Sequence, residues 1–167
     1  RVFNKYPVLK SKFSPPSALT LNPHTYAQCH LWSGEVNVNK LFFKDYDTVK
    51  KTYDRDLMAG FHPQNTIPSS VIVHEIGHAI DGYITQNQLY PAKFGEFSSK
   101  GMRREVAKKT KTYIKDTSTN VSIYASQDPE EWFAECFAEY IDSPTPRPVA
   151  KALGELVDSI LLGKDKR

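Results

Sequence analysis

Residues 71–81 read VIVHEIGHAID, and their pattern predicts the central element of the fold. Apolar side chains lie on nearly every face of it, which is typical of a helix buried in the middle of a domain. His74 and His78 are four residues apart, so a helix places both imidazoles on one face, one turn apart. Two imidazoles in that arrangement can bind one metal ion. The stretch therefore predicts a central helix that carries a metal site.

Glu75 follows His74 directly, so its carboxylate is rotated by about 100° around the helix. It then flanks the metal and can accept a proton from a water that the metal activates. The pattern His-Glu-x-x-His is a metalloprotease signature, which predicts Zn²⁺ as the cofactor. The alternative is a pair of core histidines with Glu75 at the surface.

A catalytic zinc site usually has three protein ligands, so a further residue must join His74 and His78. The other histidines are His24, His30 and His62, and all of them precede this helix. The extended three-histidine pattern of the metzincins is therefore absent from the sequence. A carboxylate is the expected third ligand, in a set of two His and one Glu.

The acidic segment 130–140, EEWFAECFAEY, is the candidate source of that carboxylate. Glu131, Glu135 and Glu139 recur every four residues and stack on one helical face. Aromatic residues fill the adjoining face, so these acids border the core, which is costly without a partner. A solvated acidic stripe is the alternative. Helical geometry leaves two registers open: Glu131 as ligand with Glu135 behind it, or Glu135 with Glu139 behind it.

Further elements flank these two helices. Asp128 and Pro129 form a strong start for the acidic helix, as its cap and its first helical residue. Asn37 and Asn39 alternate with valines in the segment 35–43, which predicts a strand whose asparagine side is exposed or at a sheet edge. The remaining predictions are helices over about 45–59, 96–115 and 149–162, and an irregular, proline-rich lead-in or linker over residues 1–30.

The composition is that of one folded domain. The chain has 167 residues, of which 40% are apolar and 25% charged. We therefore predict an α+β domain over residues 31–167, with a small sheet before the histidine helix and a mainly helical C-terminal half. Cys29 and Cys136 are too few for a disulfide scaffold, and we expect two free thiols.

Charge and hydropathy restrict the partners. The net charge of +3 is modest and disfavours nucleic acid, although a basic stretch at 100–115 leaves a nucleic-acid-associated domain as a minor alternative. No stretch approaches the roughly 18 apolar residues of a membrane span. We expect a monomer without a membrane partner. The sequence has no signal-peptide pattern and leaves the location open, with a secreted or phage-associated protein favoured.

The segments HEIGHAID (74–81), YAS (124–126) and EWFAECF (131–137) together resemble the catalytic domain of anthrax lethal factor. They are similar in plan to the secreted Pro-Pro endopeptidases of clostridia. The resemblance covers roughly residues 69–140. It implies a zincin-like (gluzincin) domain with a small twisted sheet, and a zinc endopeptidase that acts on a peptide or protein substrate.

The resemblance also implies roles for single residues. In that family the third zinc ligand is a Glu seven residues after a characteristic Tyr, which here gives Glu131 after Tyr124. A second carboxylate four residues further on contacts a zinc-bound His, which here is Glu135. Tyr124 would donate a hydrogen bond to the oxyanion that forms on the attacked carbonyl; an ordinary loop or core Tyr is the alternative. Spacing alone, apart from the resemblance, places Asp81 on the helix face of His74, where it either supports the site, by orienting a ligand or by pairing with a nearby base, or is a plain surface carboxylate.

These expectations define the main hypothesis and its rival. The main one is a zinc-dependent endopeptidase with Glu75 as general base. By fold-level analogy, its substrate would pair as an added strand with the segment 35–43. The rival is a catalytically inactive zincin-like module with a binding or structural role, for example in a phage head protein.

Overall fold

Seven helices and a three-stranded sheet make up residues 1–163, the part of the chain that the computed structural model describes. This is the α+β class that the sequence predicts. The predicted domain, 31–167, extends into residues 164–167, which lie outside the described residues. In chain order the elements are α1 (Val2–Lys5), β1 (Ser17–Leu19), β2 (Ala27–His30), β3 (Glu35–Asn39), α2 (Tyr46–Met58), α3 (Ser70–Gln86), α4 (Ser99–Thr110), α5 (Thr117–Asn120), α6 (Pro129–Asp142) and α7 (Pro148–Leu161), with 3₁₀ turns at Pro7–Leu9, Ile114–Asp116 and Tyr124–Ser126.

The sheet has the order β1-β3-β2, with β1 parallel and β2 antiparallel to β3. The predicted strand at 35–43 is therefore the central strand and ends at Asn39. The expectation that Asn37 and Asn39 lie on an exposed face or edge is wrong, because they are only 1% and 0% exposed. The Asn39 side-chain amide donates to the carbonyl oxygens of Asn22 and Thr25. The buried amide of Asn39 is tolerated because its donors are hydrogen-bonded to the loop before β2.

The first residues of the chain belong to the folded core. The structure differs here from the irregular lead-in expected over 1–30: Val2, Tyr6 and Leu9 are buried in the main hydrophobic cluster. The Tyr6 hydroxyl donates to Asp158 on α7 over 2.6 Å, and the Lys5 ammonium lies 3.0 Å from the same carboxylate. Prolines at this density prevent a long helix, but they do not prevent packing.

The helices α3 and α6 pack directly against each other in the centre of the molecule. Thirteen of the 17 residues of α3 are buried, as the apolar character of its faces predicts. A Cβ atom built on Gly77 would lie 3.0 Å from Cα of Ala134. The missing side chain thus allows the two backbones to approach closely. At the sheet side, a Cβ on Gly82 would meet the carbonyl oxygen of Leu31 at 2.0 Å, so α3 also lies close against the turn after β2.

The helix boundaries follow local signals. The carboxylate of Asp128 accepts from the amide of Glu131 over 2.8 Å, as expected of an N-terminal cap, and Pro129 opens the helix. The helices predicted at 45–59 and 149–162 are present as α2 and α7. The basic stretch is helical over a shorter range than predicted, since α4 ends at a left-handed Lys111 with φ +56°. Both cysteines are free thiols, as expected. Over residues 1–163, each helix is too short or too polar to cross a membrane.

Candidate metal centre

Three side-chain atoms from α3 and α6 form a nearly equilateral triangle. His74 Nε2 lies 3.1 Å from His78 Nε2 and 3.1 Å from Glu131 Oε2, and His78 Nε2 lies 3.3 Å from the same carboxylate oxygen. Ligands bound about 2.0 Å from a tetrahedral zinc ion stand about 3.3 Å apart. The triangle matches that spacing to within a few tenths of an ångström, so these residues could hold a zinc ion.

Local structure explains how the three candidate ligands meet. His74 and His78 lie one turn apart on α3, and Glu131 lies in the first turn of α6, whose start Asp128 caps. The close approach at Gly77 brings that first turn against the imidazoles. Glu131 Oε2 is buried and faces Nε2 of both histidines. Burial alone would raise the pKa of this carboxyl, but its contacts with the two histidines lower it to about 2. A buried carboxylate that is held ionised is suited to a cation.

Glu135 lies behind His74. Its Oε1 is 2.7 Å from His74 Nδ1, and its Oε2 accepts from the hydroxyl of Ser122 over 2.8 Å. A carboxylate can only accept, so Nδ1 carries the proton and Nε2 keeps its lone pair for a metal. Ser122 also accepts from the amide of Ala125 over 3.0 Å, which ties the 3₁₀ turn of Tyr124 to Glu135. Nothing in the spacing of the sequence marks Ser122.

The third acid of the stripe has another partner. Glu139 is 1% exposed, and its carboxylate accepts from the guanidinium of Arg147 over 2.6 to 3.1 Å. Arg147 also donates to the carbonyl oxygen of Val121. In this arrangement Glu131 faces the imidazoles, Glu135 orients one of them, and Glu139 forms a structural ion pair. The arrangement fits the first of the two registers left open by helical spacing, in which Glu131 would be the ligand.

Glu75 lies beside the ligand triangle. It is buried, and desolvation raises the pKa of its carboxyl; His74 and His78 oppose this effect, and Glu131 adds to it. A carboxyl with a raised pKa is a stronger base than a free one. Glu75 is thus placed to exchange a proton near the three ligand atoms.

Tyr124 lies next to His74. Its ring centroid is 5.7 Å from that of His74 and 5.1 Å from that of Phe61. Burial, together with the negative charge of Glu131 and Glu75, raises the pKa of the phenol. It therefore stays protonated at neutral pH and can act as a hydrogen-bond donor.

Asp81 fits neither of the roles expected for it. It is fully buried, so it is not a surface carboxylate, and its Oδ1 accepts from the amide of Ser99 over 3.0 Å. This bond anchors the start of α4 to α3. Its Oδ2 is without a hydrogen-bond partner, and burial raises the pKa of the carboxyl to about 6. Asp81 thus contacts a different helix, although it lies one turn after His78.

Two cavities open on either side of the triangle, and His74, Glu75 and Tyr124 line both. The cavity towards α2 has a volume of about 300 Å³, and the one towards the start of α6 about 410 Å³. Ala27 on β2 also lines both, so this strand runs along the cleft. Within residues 1–163, β2 pairs only with β3, and its other edge is open.

His62 is a further residue of the site, and the sequence pattern does not indicate its position. Its ring stacks on Tyr53 with centroids 4.4 Å apart, and its Nδ1 lies 4.0 Å from Glu135 Oε1. Its place follows from the loop between α2 and α3, which no motif predicts.

No protein-family model, curated protein or solved structure matches the chain.

Proposed function

We propose that this chain is a zinc-dependent endopeptidase with a zincin-like (gluzincin) fold, related to anthrax lethal factor and the Pro-Pro endopeptidases. The observation that carries the proposal is the triangle of His74 Nε2, His78 Nε2 and Glu131 Oε2, with sides of 3.1 to 3.3 Å. Its spacing fits a tetrahedral zinc ion, and Glu135 supports the tautomer that a ligating His74 needs.

These three residues would hold the zinc ion. When bound there, Zn²⁺ supplies a Lewis acid that polarises a peptide carbonyl and lowers the pKa of a water to about 7. The protein contributes the orientation: Glu135 and Ser122 fix the imidazole of His74, and burial keeps the ligands from competing water.

Glu75 acts as the general base and then as the general acid. It takes a proton from the attacking water as the oxygen approaches the carbonyl carbon. It then passes this proton to the nitrogen of the breaking peptide bond, so that the amine leaves neutral. Its buried position supports this role, because desolvation makes the carboxylate a better base.

Tyr124 stabilises the developing charge on the carbonyl oxygen. Its phenol donates a hydrogen bond, and this bond strengthens as the oxygen becomes negative. The proximity of its ring to His74 supports the assignment. Ser122 holds the turn on which Tyr124 lies, so the donor is positioned before substrate binds.

The substrate would bind in the cleft as an extended strand beside β2. The sequence suggested pairing with the segment 35–43, but β3 already has a partner on each side. The open edge of β2 lies next to the ligand triangle, with Ala27, Gln28 and Cys29 lining the larger cavity. Main-chain hydrogen bonds along such an edge hold a peptide with little dependence on its sequence.

Metal content and peptide cleavage test the proposal together. Protein purified without added metal should contain about one zinc per chain by mass spectrometry, and it should cleave members of an unbiased peptide library. Glu75→Gln should keep the zinc and lower kcat by about 10²-fold to 10⁴-fold. Glu155→Gln, an exposed change on α7, is the matched control and should leave both readouts unaltered.

Three outcomes would reject the proposal. Zinc-free protein at neutral pH that does not take up added zinc would reject the metal site itself. Zinc retention without cleavage of any peptide, or equal cleavage by Glu75→Gln and the parent, would reject the catalytic role. Zinc retention without cleavage of any peptide would favour a zincin-like binding or structural module.

A further inference from the structure

The cavity towards α2 is walled by rings. It has a volume of about 300 Å³ and lies between β2, α2 and the start of α3. Its lining includes the rings of Tyr26, Tyr53, Phe61, His62 and Tyr124. Because Tyr124 and Glu75 also line it, this space can receive a side chain next to the scissile bond of a substrate.

The carboxylates and the absence of lysine and arginine in its described lining give this cavity an acidic lining. No lysine or arginine within residues 1–163 lines it, whereas Asp56, Glu75 and Glu135 do. Glu135 already accepts from His74 and Ser122. Glu75 is the proposed general base and must stay available for proton transfer. Asp56 is therefore the carboxylate that remains for a ligand.

Asp56 keeps acceptor capacity. It accepts from the hydroxyl of Tyr26 over 2.7 Å and from the guanidinium of Arg55 over 2.8 Å. A carboxylate offers about four acceptor positions, so about two are left over. The Arg55 side chain is 73% exposed and lies on the solvent side, where an ion pair with its neighbour contributes little.

His62 supplies a second acceptor. It is 9% exposed, and its Nε2 is buried without a hydrogen-bond partner. Its Nδ1 lies 4.0 Å from Glu135 Oε1, and the neutral tautomer with its proton on Nδ1 directs that proton towards this carboxylate. Nε2 is then an acceptor. A buried acceptor without a donor is costly unless a ligand supplies the missing hydrogen bond.

On the basis of the proposed peptidase function, we propose that this cavity binds an arginine side chain of the substrate, next to the scissile bond. A guanidinium has five donors and no acceptor, which matches the carboxylate of Asp56 and Nε2 of His62. It is planar and stacks on aromatic rings, which form the walls. A leucine or phenylalanine side chain would fill the same space but leave both acceptors unpaired. Lysine has fewer donors and no planar face, so it should bind second best.

Cleavage of matched peptides tests the preference. Four peptides would differ only in one residue beside the scissile bond found in the library: arginine, citrulline, leucine or glutamate. Citrulline has nearly the shape of arginine without its charge. We expect kcat/KM to be at least about tenfold higher for arginine than for citrulline, and lowest for glutamate, since one good charged contact is worth about that factor.

Variants assign the preference to the two acceptors. Asp56→Asn keeps an acceptor for Tyr26 and should lower the arginine-to-citrulline ratio about tenfold. His62→Phe keeps a ring against Tyr53 and should lower the arginine-to-leucine ratio. Asp54→Asn is the matched control, because Asp54 lies on the same helix but is exposed and paired with Lys50. It should leave both ratios unchanged.

A binding measurement keeps this proposal separate from the peptidase. Titration of the unmodified protein with argininamide, and with citrullinamide as its neutral counterpart, is followed by NMR. Tighter binding of argininamide that Asp56→Asn abolishes supports the arginine site, even if no peptide is cleaved. Equal binding of the two amides, or cleavage with no preference for arginine over citrulline, overturns the arginine site and leaves the peptidase proposal standing.

Discussion

The Nδ1 atom of His74 lies 2.7 Å from Oε1 of Glu135, and both side chains are buried. This contact joins α3 to α6 directly behind the candidate metal site. It fixes which imidazole nitrogen carries the proton, and so it leaves Nε2 of His74 facing Glu131 and His78.

Glu135→Gln should therefore weaken zinc binding without removing a ligand. The amide keeps the hydrogen bond from His74 but loses the negative charge that raises the basicity of the imidazole. We expect zinc affinity to fall by about 10-fold to 100-fold, measured by competition with a chelating dye. Glu155→Gln on α7 should bind zinc like the parent. Unchanged affinity in Glu135→Gln would mean that the contact has no influence on the metal site.

Arg147→Met should destabilise the fold and spare the metal site. The change leaves the Glu139 carboxylate buried without its partner, because Glu139 is 1% exposed and accepts several hydrogen bonds from this guanidinium. Breaking a buried pair costs about 3–5 kcal/mol, and the 20% exposure of Arg147 favours the lower end. Urea unfolding measures the loss. A folded Arg147→Met protein that lacks zinc would instead assign Glu139 to the metal site.

Changes at Gly77 should separate helix propensity from packing. Alanine gains about 1 kcal/mol in helix propensity, which offsets the contact of its Cβ at 3.0 Å from Ala134 Cα. Valine adds further atoms in the same place, and such overpacking costs about 1–3 kcal/mol. We expect Gly77→Ala to be nearly neutral and Gly77→Val to be less stable in urea and to bind zinc more weakly, because α6 moves away from the histidines. Parent-like zinc binding by Gly77→Val would show that this close approach does not set the site geometry.

Asp81 should make the stability of the fold depend on pH. Burial raises the pKa of its carboxyl to about 6 from an ordinary value of 3.8. A raised folded-state pKa stabilises the protein at low pH, and this contribution is lost as the pH rises from about 4 through about 6. Two pKa units correspond to about 3 kcal/mol at most.

Asp81→Asn removes this titration. Relative to the parent, the free energy of unfolding of the variant should increase between pH 4.5 and pH 7.5, because only the parent has to ionise a buried carboxyl. The other groups titrate in both proteins and cancel in the difference. Urea unfolding of both proteins, in the presence of a chelator, gives this difference. A constant offset at the two pH values would contradict the raised pKa.

The sequence alone predicts the features that depend on residues close together in the chain. His74, Glu75 and His78 share one helix, and that fixes their relative directions to within a turn. Asp128 followed by Pro129 marks the start of α6, because a cap and a first helical residue act on their immediate neighbours. The α+β class and the limits of α2 and α7 follow from the same short-range rules.

The partner that each glutamate of α6 contacts depends on the tertiary structure. Glu131, Glu135 and Glu139 are equivalent along the helix, and they differ only because the histidines, Ser122 and Arg147 approach from elements far away in sequence. The burial of Asn39, the packing of Tyr6 and the place of His62 beside Glu135 have the same origin. A helical repeat predicts which residues share a face. It does not predict which residues contact that face, because those contacts depend on how distant segments pack.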